Sequence, residues 1–117
     1  MTARLLTCGY SYHTERFTTQ HKNGTPFYLF RLQTVGTCRA YIGHSWRRIE
    51  QGHLILTKPG DSYALLMEEE AGPDGQVIPV SSGDYYLCCE GDWIEQWWHR
   101  GEKPGVARID PDEKLIS

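Results

Sequence analysis

No stretch of this chain approaches the roughly 18 to 20 consecutive apolar residues that a membrane helix requires. The opening Met1-Thr2-Ala3-Arg4-Leu5-Leu6 also lacks the long apolar core of an export signal. No membrane partner is expected, and the expected address is cytoplasmic. Basic residues are scarce too: 12 Lys and Arg stand against 15 Asp and Glu, for a formal net charge of −3. Affinity for a phosphate backbone comes from clustered Lys and Arg that release counterions. The only basic pair is Arg47-Arg48, which reads as a solvated turn, so this segment is not expected to bind DNA by itself. Cysteines number four, at 8, 38, 88 and 89, and no Cys-x-x-Cys pair occurs, which argues against a structural zinc site. In a chain without an export signal they are expected to be reduced thiols. Cys88 and Cys89, being adjacent, point to opposite faces of any strand that carries them, so neither a shared metal nor an easy disulfide is expected. Cys38, Cys88 and Cys89 read as small apolar filling of a core.

What is present is enough for one hydrophobic core. The 117 residues match one ordinary domain, and 39% hydrophobic with 23% charged residues match a folded globular chain. Phe27-Tyr28-Leu29-Phe30-Arg31-Leu32-Gln33-Thr34-Val35 is rich in aromatic and apolar residues and ends at Gly36, which predicts a strand and a tight turn. A second strand follows over residues 37–42, ending at Gly43-His44-Ser45, and a third over residues 46–49. Gly52-His53-Leu54-Ile55-Leu56-Thr57-Lys58-Pro59-Gly60 holds three aliphatics between a turn glycine and a Pro-Gly turn, the mark of a buried strand. Residues 62–70 contain helix formers, yet their extended flanks favour a strand, closed by a turn over residues 71–76. Residues 85–90 and 92–99 carry two tyrosines and three of the four tryptophans and read as strand concentrating aromatic surface. After a loop at residues 101–105, Asp110 and Pro111 head a helix start, as N-cap and first helical residue. That makes residues 1–109 the domain and residues 110–117 the beginning of a linker or dimerisation helix in a longer protein.

Short strands separated by Gly and Pro turns, with no internal helix recognised, predict an all-β antiparallel sandwich or barrel able to enclose one small ligand. The segment Gly52 to Gly60, followed later by Trp93-Ile94-Glu95-Gln96-Trp97 and preceded by Cys8-Gly9-Tyr10, resembles the N-terminal cupin domain of AraC-type transcriptional regulators. His53 stands where that family usually has an acid. The resemblance implies a cupin-like antiparallel β-barrel, a double-stranded β-helix or jelly roll, that binds a small effector, pairs into a homodimer and reaches DNA only through a helix-turn-helix domain outside this chain.

The resemblance also implies ligand-binding residues. Glu95 and Trp97 fall where relatives contact the effector; His21 or Lys22 corresponds to a polar residue before the first long strand, and Tyr63 or Leu65 to one just past the Pro-Gly turn. Thr7 and Cys8 belong to an N-terminal arm that would close over the ligand. Plainer roles compete: Trp97 as core, His21 and Lys22 as solvated loop. An inward Glu95 would require pairing or neutralisation, which a hydroxyl-rich or cationic effector supplies.

Many cupins are metalloenzymes with a His-x-His, a downstream Glu and a further His after the Pro-Gly turn. Here the first hairpin offers His44 with Glu50 six residues on, and the last histidine position holds Tyr63. No metal site, no cofactor and no catalytic residue is expected, and the sensor reading stands ahead of a stand-alone cupin enzyme of isomerase or dioxygenase type. A carbohydrate-binding module using exposed Trp93 and Trp98 is a third reading.

Overall fold

The computed structural model describes residues 2–109. The helix start at residues 110–117, and with it the linker or dimerisation helix, lies outside the described residues. In chain order the elements are β1 (Arg4–His13), β2 (Phe17–His21), β3 (Tyr28–Gly36), β4 (Cys38–Ile42), β5 (Ser45–Ile49), β6 (His53–Thr57), β7 (Tyr63–Met67), β8 (Glu70–Ala71), β9 (Val77–Ile78), β10 (Ser82–Glu90), α1 (Asp92–His99) and β11 (Val106–Arg108).

All pairings are antiparallel, and two sheets carry the fold: a larger one in the order β1-β10-β3-β6-β11 and a smaller one in the order β2-β7-β4-β5. Alternation along each strand decides what lies between them. Leu29, Ile55 and Cys88 of the larger sheet meet Cys38, Ala40, Ile42, Ile49, Tyr63, Leu65 and Met67 of the smaller in one buried cluster. Of the strand expected over residues 62–70, Tyr63–Met67 forms β7, because β2 and β4 pair with its two sides, while Glu70 opens the separate strand β8. Alternate residues Tyr63, Leu65 and Met67 then reach the interior, a burial that helix propensity cannot match.

Two turns depend on unusual backbone. Gly36, with φ of 63°, links β3 to β4, and a Cβ there would stand 1.7 Å from the Ser81 carbonyl oxygen, so only glycine fits. Gly43 and His44 both have positive φ, 60° and 70°, the backbone that a two-residue hairpin turn between β4 and β5 demands.

The strand expected over residues 92–99 is instead the helix α1. Gly91, at φ 126°, ends β10. Beyond it Ile94, Trp97 and Trp98 recur at i, i+3 and i+4, with Asp92 and Glu95 in the first turn, so the 3.6-residue period prevails over aromatic strand propensity. The apolar face settles on the outer side of the larger sheet, against Tyr28, Leu56 and Cys89. The helix start is tied to the chain's beginning: Thr2 donates to the Asp92 carboxylate through its N–H and hydroxyl, and the Trp93 N–H donates to the Thr2 carbonyl at 2.9 Å. The two bonds from Thr2 to its carboxylate hold the Asp92 pKa below its ordinary value. Cys88 joins the inner cluster and Cys89 the outer one, on opposite faces of β10.

Candidate functional site

The space between the sheets is not wholly apolar. On β3 alternation sends Leu29, Arg31 and Gln33 inward, and on β10 it sends Asp84, Tyr86 and Cys88 inward to meet them. Arg31 Nη1 lies 2.6 Å from Asp84 Oδ1; the Asp84 side chain is fully buried and that of Arg31 is 15% exposed. The guanidinium also sits over the Tyr86 ring, 5.5 Å from its centroid. Deeper in, Gln33 donates from its amide to Ser82 Oγ and to the Val35 carbonyl, each at 2.8 Å, and accepts from the Cys38 thiol at 3.6 Å.

The electrostatics follow from burial and proximity. Desolvation works against the charge on Arg31, but the neighbouring Tyr63 hydroxyl and Asp84 carboxylate outweigh it and raise its pKa, so the guanidinium stays charged. For Asp84 burial is the stronger influence: it raises the carboxyl pKa although Arg31 pulls it down. Burial, with Asp84 nearby, pushes the Cys38 thiol up to about 12, which leaves it a packing group with no nucleophilic role at neutral pH.

Four buried side-chain atoms find no hydrogen-bond partner among the described residues: Thr19 Oγ1, Arg31 Nε, Thr57 Oγ1 and Asp84 Oδ2. All four belong to residues whose side chains project from the facing sides of the two sheets. Two recesses open at the edges of the sandwich. One, of about 250 Å³, is bounded by His21, Lys22, Tyr41, Trp46, Ser62 and Tyr63, and shares Tyr63 with the Arg31 cluster. The other, of about 560 Å³, opens at the end of the sandwich among Thr57, Lys58, His44, Trp98, His99 and Lys103, and shares Thr57.

No protein-family model matches the chain, and no curated protein matches it. Among solved structures it is similar to a Cupin 2 conserved barrel domain protein from Salinispora arenicola, with a TM-score of 0.52, 11% sequence identity, and coverage of 85% of this chain and 83% of that one. The fold is that of a cupin barrel.

On this cupin frame the residues singled out in the sequence fall into three groups. His21, Lys22 and Tyr63 come together at the smaller recess, where the His21 and Tyr63 rings stack 5.2 Å apart and nearly parallel. Leu65 lies in the core, 1% exposed. Thr7 and Cys8 are exposed neighbours on opposite faces of β1, and β1 is no free arm: residues 4–13 pair with β10, with one bulge between Leu5 and Thr7. Glu95 and Trp97 ride on α1, outside the larger sheet, so they share no strand face. Glu95 is exposed in a shallow groove with Arg4, Tyr28 and Lys58. Trp97 meets Phe30 edge-on at 6.1 Å and carries Lys103 over its ring at 4.6 Å.

The buried carboxylate is therefore Asp84, which sequence reasoning missed together with Arg31. A signal for Arg31 existed, since a cation at the centre of an apolar run, in phase with Leu29, must face the core. Cupin metal chemistry does not fit the residues in place. His44 sits at the end recess, Tyr63 lies at the other beside the charged Arg31, and a guanidinium repels a divalent cation. Among the described residues no three His, Cys, Asp or Glu side chains gather as metal ligands. No helix of the described residues is long and apolar enough to cross a membrane.

Proposed function

We propose that this cupin domain holds a small hydroxylated molecule between its two sheets and acts, without turnover, as the effector-sensing and pairing half of an AraC-type transcriptional regulator. In that reading DNA is bound through a helix-turn-helix domain of the full protein. The observation that carries it is the buried Arg31 and Asp84 pair, with four buried polar atoms on the facing sides of the sheets left unpartnered among the described residues. A buried polar atom left without a partner costs about 1 to 3 kcal/mol, and native interiors satisfy nearly all of them. The four atoms comprise an N–H donor, a carboxylate acceptor and two hydroxyls that do either. A compound presenting several hydroxyls answers all three kinds at once. The support for the regulator is the cupin fold together with the run from Gly52 to Gly60 and its Pro-Gly turn.

A thermal-shift screen of monosaccharides and other hydroxylated metabolites tests this directly. A ligand that binds only the folded state at one hundred times its Kd stabilises by about 2.7 kcal/mol. The expected result is a concentration-dependent rise in Tm with one compound class, lost in Arg31→Met. A shift that survives Arg31→Met, or a transition metal bound stoichiometrically by the purified protein, would overturn the reading.

A further inference from the structure

We infer that the uncovered half of the outer face of the larger sheet packs against the same face of a second copy of this chain. The inference deepens the pairing part of the function proposed above and is independent of what the interior binds. The helix α1 covers part of that face, where Tyr28 of β3, Leu56 of β6 and Cys89 of β10 lie beneath Trp98. Beyond the helix the apolar surface runs on across β3, β10 and β1, uncovered among the described residues. Tyr10 is 47% exposed, Tyr12 53%, Tyr85 58%, Leu87 38%, Leu6 41% and Val35 41%.

Three features point to a second copy. The first is area: at ordinary side-chain sizes those six exposed fractions amount to roughly 600 Å², before the partly buried Leu32 and Leu54 are added. The largest apolar patch on a typical monomer is about 300 to 600 Å², and a stable interface takes about 800 Å² from each partner. The second is charge. A groove of about 510 Å³ runs through this surface, lined by Cys8, Phe30, Leu32, Leu54, Tyr85 and Leu87 among others, and none of its lining residues is charged. A chain of net charge −3 meets its own copy most readily through a face that contributes no repulsion, and a nucleic acid or a charged peptide finds nothing on it to select. The third is composition. Tyr10 and Tyr85, with ring centroids 4.7 Å apart, form a rigid pair of the type enriched at protein interfaces, and a twofold axis through the face makes it self-complementary.

Sedimentation equilibrium on the full chain across micromolar concentrations tests the inference. The wild type is expected to be dimeric. Tyr85→Lys and Leu87→Lys, each with near-UV circular dichroism that shows an intact core, are expected to weaken the dimer at least about tenfold. Val77→Lys, at an equally exposed apolar position on β9, is expected to leave it unchanged. A dimer indifferent to both β10 substitutions overturns the assigned face while leaving pairing in place. A wild type monomeric at every concentration overturns both the face and the pairing. Ligand-induced thermal shifts in the Tyr85→Lys variant then report on the interior separately.

Discussion

Arg31 and Asp84 place a charge pair where cores of this size usually hold aliphatic side chains. Their direct contact offsets only part of the desolvation that Asp84 suffers, which is why its carboxyl remains raised despite the cation 2.6 Å away. The sign for stability follows. A carboxyl whose pKa is raised on folding binds its proton more tightly in the native state, so ionising it as pH climbs from its unfolded value through its folded one reduces stability. The pair is therefore an unfavourable way to fill a core, and its retention is intelligible if something else uses it. Removing one partner strands the other: Arg31→Met or Asp84→Leu alone is expected to cost about 3 to 5 kcal/mol, whereas the double replacement is expected to match or exceed wild-type stability. Urea unfolding of the four proteins measures this, and single variants within about 0.5 kcal/mol of wild type would show that the pair is solvated after all. Alternation within β3 was the overlooked signal that puts Arg31 on the face of Leu29 and Gln33. Its partner could not be foreseen, because the pairing that sets Asp84 opposite Gln33 joins strands about fifty residues apart in sequence.

At the scale of elements, the strands from β3 to β7 were legible because apolar runs and Gly or Pro turns agree there on one conformation. α1 was not, because tryptophan and isoleucine favour strands in general and the adjacent pair Trp97-Trp98 fits either period. What decides is the docking surface. On a sheet whose outer face offers Tyr28, Leu56 and Cys89, a helix buries Ile94, Trp97 and Trp98 together, whereas a strand splits Trp97 from Trp98. With eight residues and no side-chain N-cap, α1 would be marginal in isolation and depends on that contact. Trp98, 9% exposed and 5.4 Å from the Tyr28 ring, is the anchor. Trp98→Ala is expected to cost about 3 to 5 kcal/mol and to lower the helical far-ultraviolet signal in the folded protein. A loss under about 1 kcal/mol would mean that the helix is held by its bonds to Thr2. The candidate site suffered from the same misreading: Glu95 and Trp97 were assigned to a strand face, and the helix carries both to the outside. His21, Lys22 and Tyr63 did come together, since the turn between β6 and β7 and the end of β2 are fixed by the register that pairs His21 with Tyr63.

For the whole molecule, the strand order ties distant parts of the chain to one another. Among the described residues β1 pairs with β10 alone, β10 lies next to β3, and β11 closes the far edge on β6, so the larger sheet cannot be completed until almost the entire chain is in place. Pairings of this kind must meet their loop-closure entropy before burial compensates it, and folds dominated by them fold in about milliseconds to seconds. The short helix waits on the same event, because its docking face is built from β3, β6 and β10. Trp97 and Trp98 thus report on completion of the larger sheet and not on an early local helix. Stopped-flow refolding is expected to show the main tryptophan fluorescence change and the far-ultraviolet signal developing together on that timescale. A fluorescence change completed within about 100 μs, the time of hydrophobic collapse, would mean that α1 buries its tryptophans before the sheet exists. The sheet would then be assembled on the helix, and with the dependence reversed the docking surface could no longer be the cause that makes residues 92–99 helical.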